Sequence, residues 1–221
     1  AFKVASAVVI VSGIFHMAWG PFSMAIFKEN DAEYVYNIVL KIYFLVLVFF
    51  VFIVKFFASF LITSFGTSEY LEAIYLVLPL SLALMINGVT GITGIGINLS
   101  MKSYLSLIPF IISASLLTLL LYYFIPIYKL EGVVYSLLIA NSVKMIITSY
   151  IARKVYNKII IKYELTFIFF LFFSIIYFSL FTLNFGVTIK FIFACSTIPI
   201  VLLLYFSKVE RNYILKKLQL R

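Results

Sequence analysis

The residues in this chain best suited to chemistry are three cationic or potentially cationic side chains set inside long apolar runs: His16, Lys55 and Lys144. No Asp or Glu lies deep in any of those runs. An ionisable group buried in hydrocarbon is costly unless it faces water or protein. Without deep acids, neither a carboxylate proton relay nor an oxygen cage for a cation can be built. Deep cations instead favour an anion, such as a phosphate or pyrophosphate, held by charge-assisted hydrogen bonds. Lysine serves there as a point charge. Lys144 and His16 sit near the middle of their runs. Lys55 lies nearer one end, within snorkelling reach, as do Lys41 and Lys190 at run ends.

The same inventory speaks against catalysis. There is one His and one Cys, so neither a triad nor a metal site can be assembled, and no cofactor, metal or enzymatic activity is expected. Cys195 offers no disulfide partner and reads as an apolar filler. The GITGIG sequence at Gly91–Gly96 lacks the strand–turn–helix setting of a dinucleotide fingerprint.

The elements that hold these residues are membrane helices. The chain is 65% hydrophobic, 19% aromatic and only 11% charged, with a mean hydropathy of +1.18. A soluble domain of this size would need far more polar surface. About 20 apolar residues cross a bilayer as a helix. Gly, Pro and charge clusters divide the sequence into seven such spans, at residues 2–27, 36–63, 70–97, 104–125, 132–156, 165–183 and 187–207. The expected fold is therefore an all-α, polytopic transmembrane bundle over 1–207, with a basic tail at 208–221.

The net charge of +9 is placed for a membrane and not for nucleic acid. Arg153, Lys154, Lys158 and Lys162 fill one loop, and Lys208, Arg211, Lys216, Lys217 and Arg221 fill the tail. The positive-inside rule puts both on the cytoplasmic side and Ala1 outside. The breaks near Glu69 and near Lys129–Glu131 then lie outside, and the Lys28–Glu33 loop inside. The chain opens within a hydrophobic segment and without an initiator Met, as a piece of a longer protein would.

At helical periodicity the polar residues form stripes. Ser12, His16, Trp19 and Ser23 share one face of the first span, and Asn37, Lys41, Lys55 and Ser59 one face of the second. Asn87, Thr90, Gly91, Gly94 and Asn98 share a face of the third, and Asn141, Lys144 and Thr148 a face of the fifth. Four stripes can line one polar cavity. Small polar residues can equally zip helices together. The substrate-cavity candidates are Lys144, Lys55, His16, Asn141 and Asn87. Gly20-Pro21, Pro79, Pro109, Pro199 and the glycines at 88–96 are expected to kink or loosen their helices, as in transporters.

Three segments carry a family resemblance. Trp19-Gly20-Pro21-Phe22 resembles the W-x-P-F segment of bacterial polysaccharide flippases, the O-antigen and capsule transporters of the MOP superfamily related to MATE exporters. Gly94-Ile95-Gly96-Ile97-Asn98 with Lys102 resembles a glycine-rich helix end in that family. Phe124-Ile125-Pro126-Ile127-Tyr128 followed by Gly132 is similar to its IPxYGxxGAA stretch, with Lys129 where the family usually has Gly and Val133-Val134 for the small pair. On that register the chain resembles the second lobe, and an N-terminal lobe of the same protein would be its partner. The resemblance implies export of undecaprenyl-pyrophosphate-linked oligosaccharide repeat units across the bacterial inner membrane by alternating access. The competing class is a MATE-like drug or ion antiporter, which would call for a deep carboxylate. A non-transporting scaffold would leave Lys144 and His16 without a role.

Overall fold

The computed structural model describes residues 1–65, 74–157 and 168. The chain divides into two units, Ala1–Phe167 and Ile168–Arg221, and apart from Ile168 the described residues belong to the first. The spans expected at 165–183 and 187–207, and the tail at 208–221, lie outside them.

Every described element is helical. In chain order they are α1 (Phe2–Ala5), α2 (Ala7–Ile26), α3 (Ala32–Phe56), α4 (Ala58–Phe65), α5 (Val77–Thr93), α6 (Ile95–Leu99) and α7 (Leu107–Val155). A 3-10 turn at Ser103–Ser106 leads into α7. Four helical stretches are long and apolar enough to cross a membrane: Phe2–Ile26, Ala32–Phe56, Ile74–Leu99 and Ser103–Val155. The first ends within a residue of the sequence expectation. Its polar turn carries Lys28, Glu29, Asn30 and Asp31, and Glu33 then opens α3, where an acid suits the helix dipole. Arg153 and Lys154 close α7 with the complementary charge.

At a rise of 1.5 Å per residue α7 would be about 75 Å long if straight, more than twice the hydrocarbon thickness. It is not straight. Lys129 has φ 50° and ψ −123°, the geometry of the first central residue of a type II′ turn, and the chain folds back there. A Cβ on Gly132 would meet the Phe124 carbonyl oxygen at 2.6 Å, and the Lys144 Nζ lies 5.8 Å from the Phe110 ring centre. Those pairs can meet only if residues 107–128 and 130–155 run antiparallel. The break expected between residues 125 and 132 is thus a helical hairpin.

Contacts fix the remaining directions. Tyr36 meets Ser23, Tyr43 meets Ser12 and Val54 packs against Val4, so α3 is antiparallel to α2. Ala5 packs with Leu80 and His16 reaches Gly88, so α5 is parallel to α2. Val134 packs with Leu80, Asn141 reaches Ala83 and Lys144 reaches Asn87, so 130–155 is parallel to α5. This alternation is what successive crossings of one bilayer require.

The centre of the bundle is Ile74–Leu99. Of its hydrophobic stretch 78% is buried, against 50% for Ala32–Phe56 and 22% for Phe2–Ile26. The outer helices instead turn Ile10, Ile14, Met17, Phe49, Ile111 and Leu119 outward, apolar side chains suited to acyl chains.

The prolines correct the sequence reading. Pro79 and Pro109 are each the third residue of their helices, α5 and α7. Their missing N–H groups fall among those a first turn leaves unpaired, so neither kinks a span. Pro21 does lie inside α2, which continues to Ile26. The real interruption of the third span is Gly94, at φ −85° and ψ 2° between α5 and α6. Pro199 lies outside the described residues.

Candidate functional site: a polar groove at mid-span

The glycines of α5 and α6 explain how polar residues from several helices come together. An added Cβ on Gly88 would overlap Ser12 and meet the Tyr43 hydroxyl at 2.8 Å, and one on Gly91 would overlap the His16 ring. On Gly94 it would meet Thr148 Cγ2 at 2.7 Å, and on Gly96 the Ala152 carbonyl oxygen at 2.6 Å. The absence of side chains lets α2 and 130–155 approach from opposite flanks, as small residues do between membrane helices. Three stripes therefore converge on the third span.

Most members of these stripes are structural. Ser12 and Tyr43 share a buried hydrogen bond. Asn141 Nδ2 donates to the Ala83 carbonyl at 3.0 Å, tying 130–155 to α5. Thr90, Ser136, Ser142 and Ser149 donate to carbonyls one turn back in their own helices. Trp19 is buried against Phe15 and Tyr36, and its indole N–H has no hydrogen-bond partner in the described residues.

Lys55 does not join Lys144 and His16. Its Nζ donates to the Ile74 carbonyl at 2.7 Å, thirteen residues before Asn87 and so about 20 Å away along the third span. Asn37 Nδ2 donates to the Glu33 carbonyl, and the stripe on the second span thus contributes no polar wall to the groove. Angular position on a helix, which the stripe recorded, says nothing of depth.

What remains is a compact polar set at mid-span. Asn87 lies near the midpoint of Ile74–Leu99, and Lys144 near that of residues 130–155. Lys144 Nζ donates to Asn87 Oδ1 at 3.0 Å and faces the Phe110 ring. One turn along α5, Gly91 backs the His16 imidazole, whose Nε2 is 2.9 Å from the Gly88 carbonyl oxygen. A carbonyl only accepts, so Nε2 carries the proton and Nδ1 of the neutral ring is an acceptor. Asn87, Gly91 and Asn98 are exposed among the described residues, although they belong to the most buried helix. They form the floor of a groove walled by α2 and by residues 130–155.

The chemistry of this set is one-sided. The lysine occupies the carboxamide oxygen of Asn87, which leaves the Asn87 NH2 and the remaining ammonium hydrogens as donors without acceptors among the described residues. No carboxylate of the described residues pairs with Lys144; Glu29, Asp31, Glu33 and Glu131 all lie at helix ends. No group of His, Cys, Asp and Glu able to hold a metal occurs in the described residues. Phe110 was not singled out in the sequence, because only the hairpin at Lys129 carries it over Lys144. No family model, characterised protein or solved structure matches the chain.

Proposed function

We propose that this chain is a lobe of a membrane transporter that moves an anionic amphiphile, and specifically that it serves export of undecaprenyl-pyrophosphate-linked oligosaccharide across the bacterial cytoplasmic membrane. One observation carries the reading: a lysine at mid-span, paired only with a carboxamide oxygen and an aromatic face, beside a second outward-facing donor. An uncompensated ammonium in a low-dielectric slab is held at a cost. That cost is offset when an anion arrives, and a pyrophosphate supplies several acceptor oxygens with no donor to compete. The three segments resembling polysaccharide flippases narrow the anion to a lipid-linked pyrophosphate. In this reading the basic ends at Arg153–Lys154 are cytoplasmic, and the groove alternates between the two sides with a partner lobe. A MATE-like antiporter has less support, since the described spans place no carboxylate at this depth.

The test is Lys144→Met beside Lys144→Arg in a polysaccharide-exporting cell that depends on this protein, with membrane level and surface polysaccharide both measured. Export lost with Met and partly kept with Arg, at normal protein level, supports the reading. Wild-type export with Met contradicts it.

A further inference from the structure

The groove holds a second group that the anion reading does not yet use. His16 is fixed at one nitrogen: Nε2–H is spent on the Gly88 carbonyl, at 2.9 Å. Its ring lies against Gly91, where any side chain would displace it. The other nitrogen, Nδ1, has no hydrogen-bond partner among the described residues. Gly88 directly follows Asn87, so the imidazole and the Lys144–Asn87 pair sit on adjoining positions of one helix.

The groups facing this ring are few. From α3 comes Tyr43, with ring centres 5.8 Å apart; its hydroxyl is engaged by Ser12. From α2 itself comes Phe15, edge-on at 5.9 Å. α5 presents only Gly88 and Gly91, and the hairpin helix presents Lys144 through Asn87. No acid faces it in the described residues. A second proton on the ring would therefore meet a lysine ammonium with nothing between them, and like charges in a low-dielectric site oppose each other. An anion seated on Lys144 and Asn87 reverses this: it screens the lysine and offers an acceptor to a new Nδ1–H.

We infer that His16 is the second anion-recognition group of the groove and that it acts as an imidazolium, so that anion binding at Lys144 and Asn87 takes up one proton from solvent onto His16 Nδ1. Nε2–H stays on the Gly88 carbonyl throughout, and no backbone movement is needed. The coupling is reciprocal: protons tighten anion binding as much as the anion tightens proton binding. This inference rests on the anion-site reading of the groove, and the experiment separates the two.

His16 is the single histidine of the chain, so its imidazole nitrogens can be followed without ambiguity. The full chain, labelled with 15N-histidine and held in mild detergent, is titrated with sulfate. Sulfate is a tetrahedral oxyanion that stays a dianion across roughly pH 5 to 8, the range in which imidazoles usually titrate. Binding is measured in parallel by calorimetry in buffers of different ionisation enthalpy. The expected result is a singly protonated ring, on Nε2, in sulfate-free protein near neutral pH. Both nitrogens become protonated as sulfate saturates, with about one proton taken up per anion bound. His16→Gln should bind sulfate about tenfold more weakly and without proton uptake. Lys144→Met should abolish both binding and the spectral change.

If sulfate binds in a Lys144-dependent way while the ring stays singly protonated, the role of His16 is overturned and the groove stands. If Lys144→Met binds as wild type does, or if wild type binds no sulfate, the anion site itself fails. His16→Asn, a smaller amide, controls for packing: equal loss in both amides with retained proton uptake also overturns the inference.

Discussion

The glycine contacts give a graded prediction about packing. A methyl group on Gly96 would lie 2.6 Å from the Ala152 carbonyl oxygen, 3.1 Å from its carbon and 3.3 Å from its Cα. Carbon–oxygen contacts settle at about 3.3 Å or more, so α6 and residues 130–155 must part by roughly 0.7 Å. Backbone cannot rotate out of the way as a side chain can. Forcing a methyl into a packed contact costs about 1–3 kcal/mol, and replacing glycine by alanine in a helix returns at most about 1 kcal/mol. Gly96→Ala should thus be destabilising by up to about 2 kcal/mol. Gly13→Ala supplies the contrast, because nothing lies within 4 Å of its added Cβ. It should gain up to about 1 kcal/mol from helix propensity alone. Gly94→Ala should fall between them, since its clash is with the rotatable Thr148 Cγ2. Unfolding each variant from mild detergent by titration with sodium dodecyl sulfate, followed by circular dichroism, gives the order. If Gly96→Ala matches Gly13→Ala to within about 0.5 kcal/mol, the close approach of these helices is not as described.

Lys129 holds a left-handed backbone at which an L side chain is strained by about 1–3 kcal/mol; Lys129→Gly should raise stability by about 1 kcal/mol in the same assay and leave sulfate affinity unchanged. Lys55→Met removes the 2.7 Å bond to the Ile74 carbonyl, so stability should fall by about 1–3 kcal/mol while sulfate binding stays within about twofold, because that ammonium lies far from the groove. Cysteines placed at Lys129 and at Lys102 should label from opposite faces of intact cells, the first from outside, given the direction of residues 107–128 between them.

The helical, membrane-spanning class was legible in the sequence because it depends on length and apolarity, which are properties of a run and not of its partners. The stripes on the first, third and fifth spans were legible for a related reason. A polar side chain cannot be left facing lipid, so its angular position points to a neighbour, and Ser12, His16, Asn87, Asn141 and Lys144 do meet the third span or belong to it. Depth was harder. Lys55 shares a face with Asn37 and Lys41, yet its ammonium reaches a carbonyl at the start of the third span. Only the stagger between α3 and α5 decides that, and stagger is set by packing.

Two other features depend on tertiary contact. Pro79 looks like a kink when its helix is assumed to start at residue 70; with α5 beginning at Val77 it is an ordinary first-turn proline. The reversal at Lys129 falls on a residue with no turn preference, between Pro126 and Gly132. Its position is fixed by the close contact of Gly132 with Phe124, which no local pattern announces. Phe110 enters the site by the same reversal.

The account turns on whether the Lys144–Asn87 pair receives a lipid-linked pyrophosphate. The most direct measurement is equilibrium binding of an undecaprenyl-pyrophosphate-linked sugar to the protein in nanodiscs, for wild type, Lys144→Arg and Lys144→Met, with helicity checked in each. A charge-assisted hydrogen bond contributes about 1.5–3 kcal/mol, so Lys144→Met should bind roughly 10- to 150-fold more weakly. Lys144→Arg, which keeps the charge, should stay within about tenfold of wild type. A correctly folded Lys144→Met that binds the lipid-linked sugar as tightly as wild type would contradict the account.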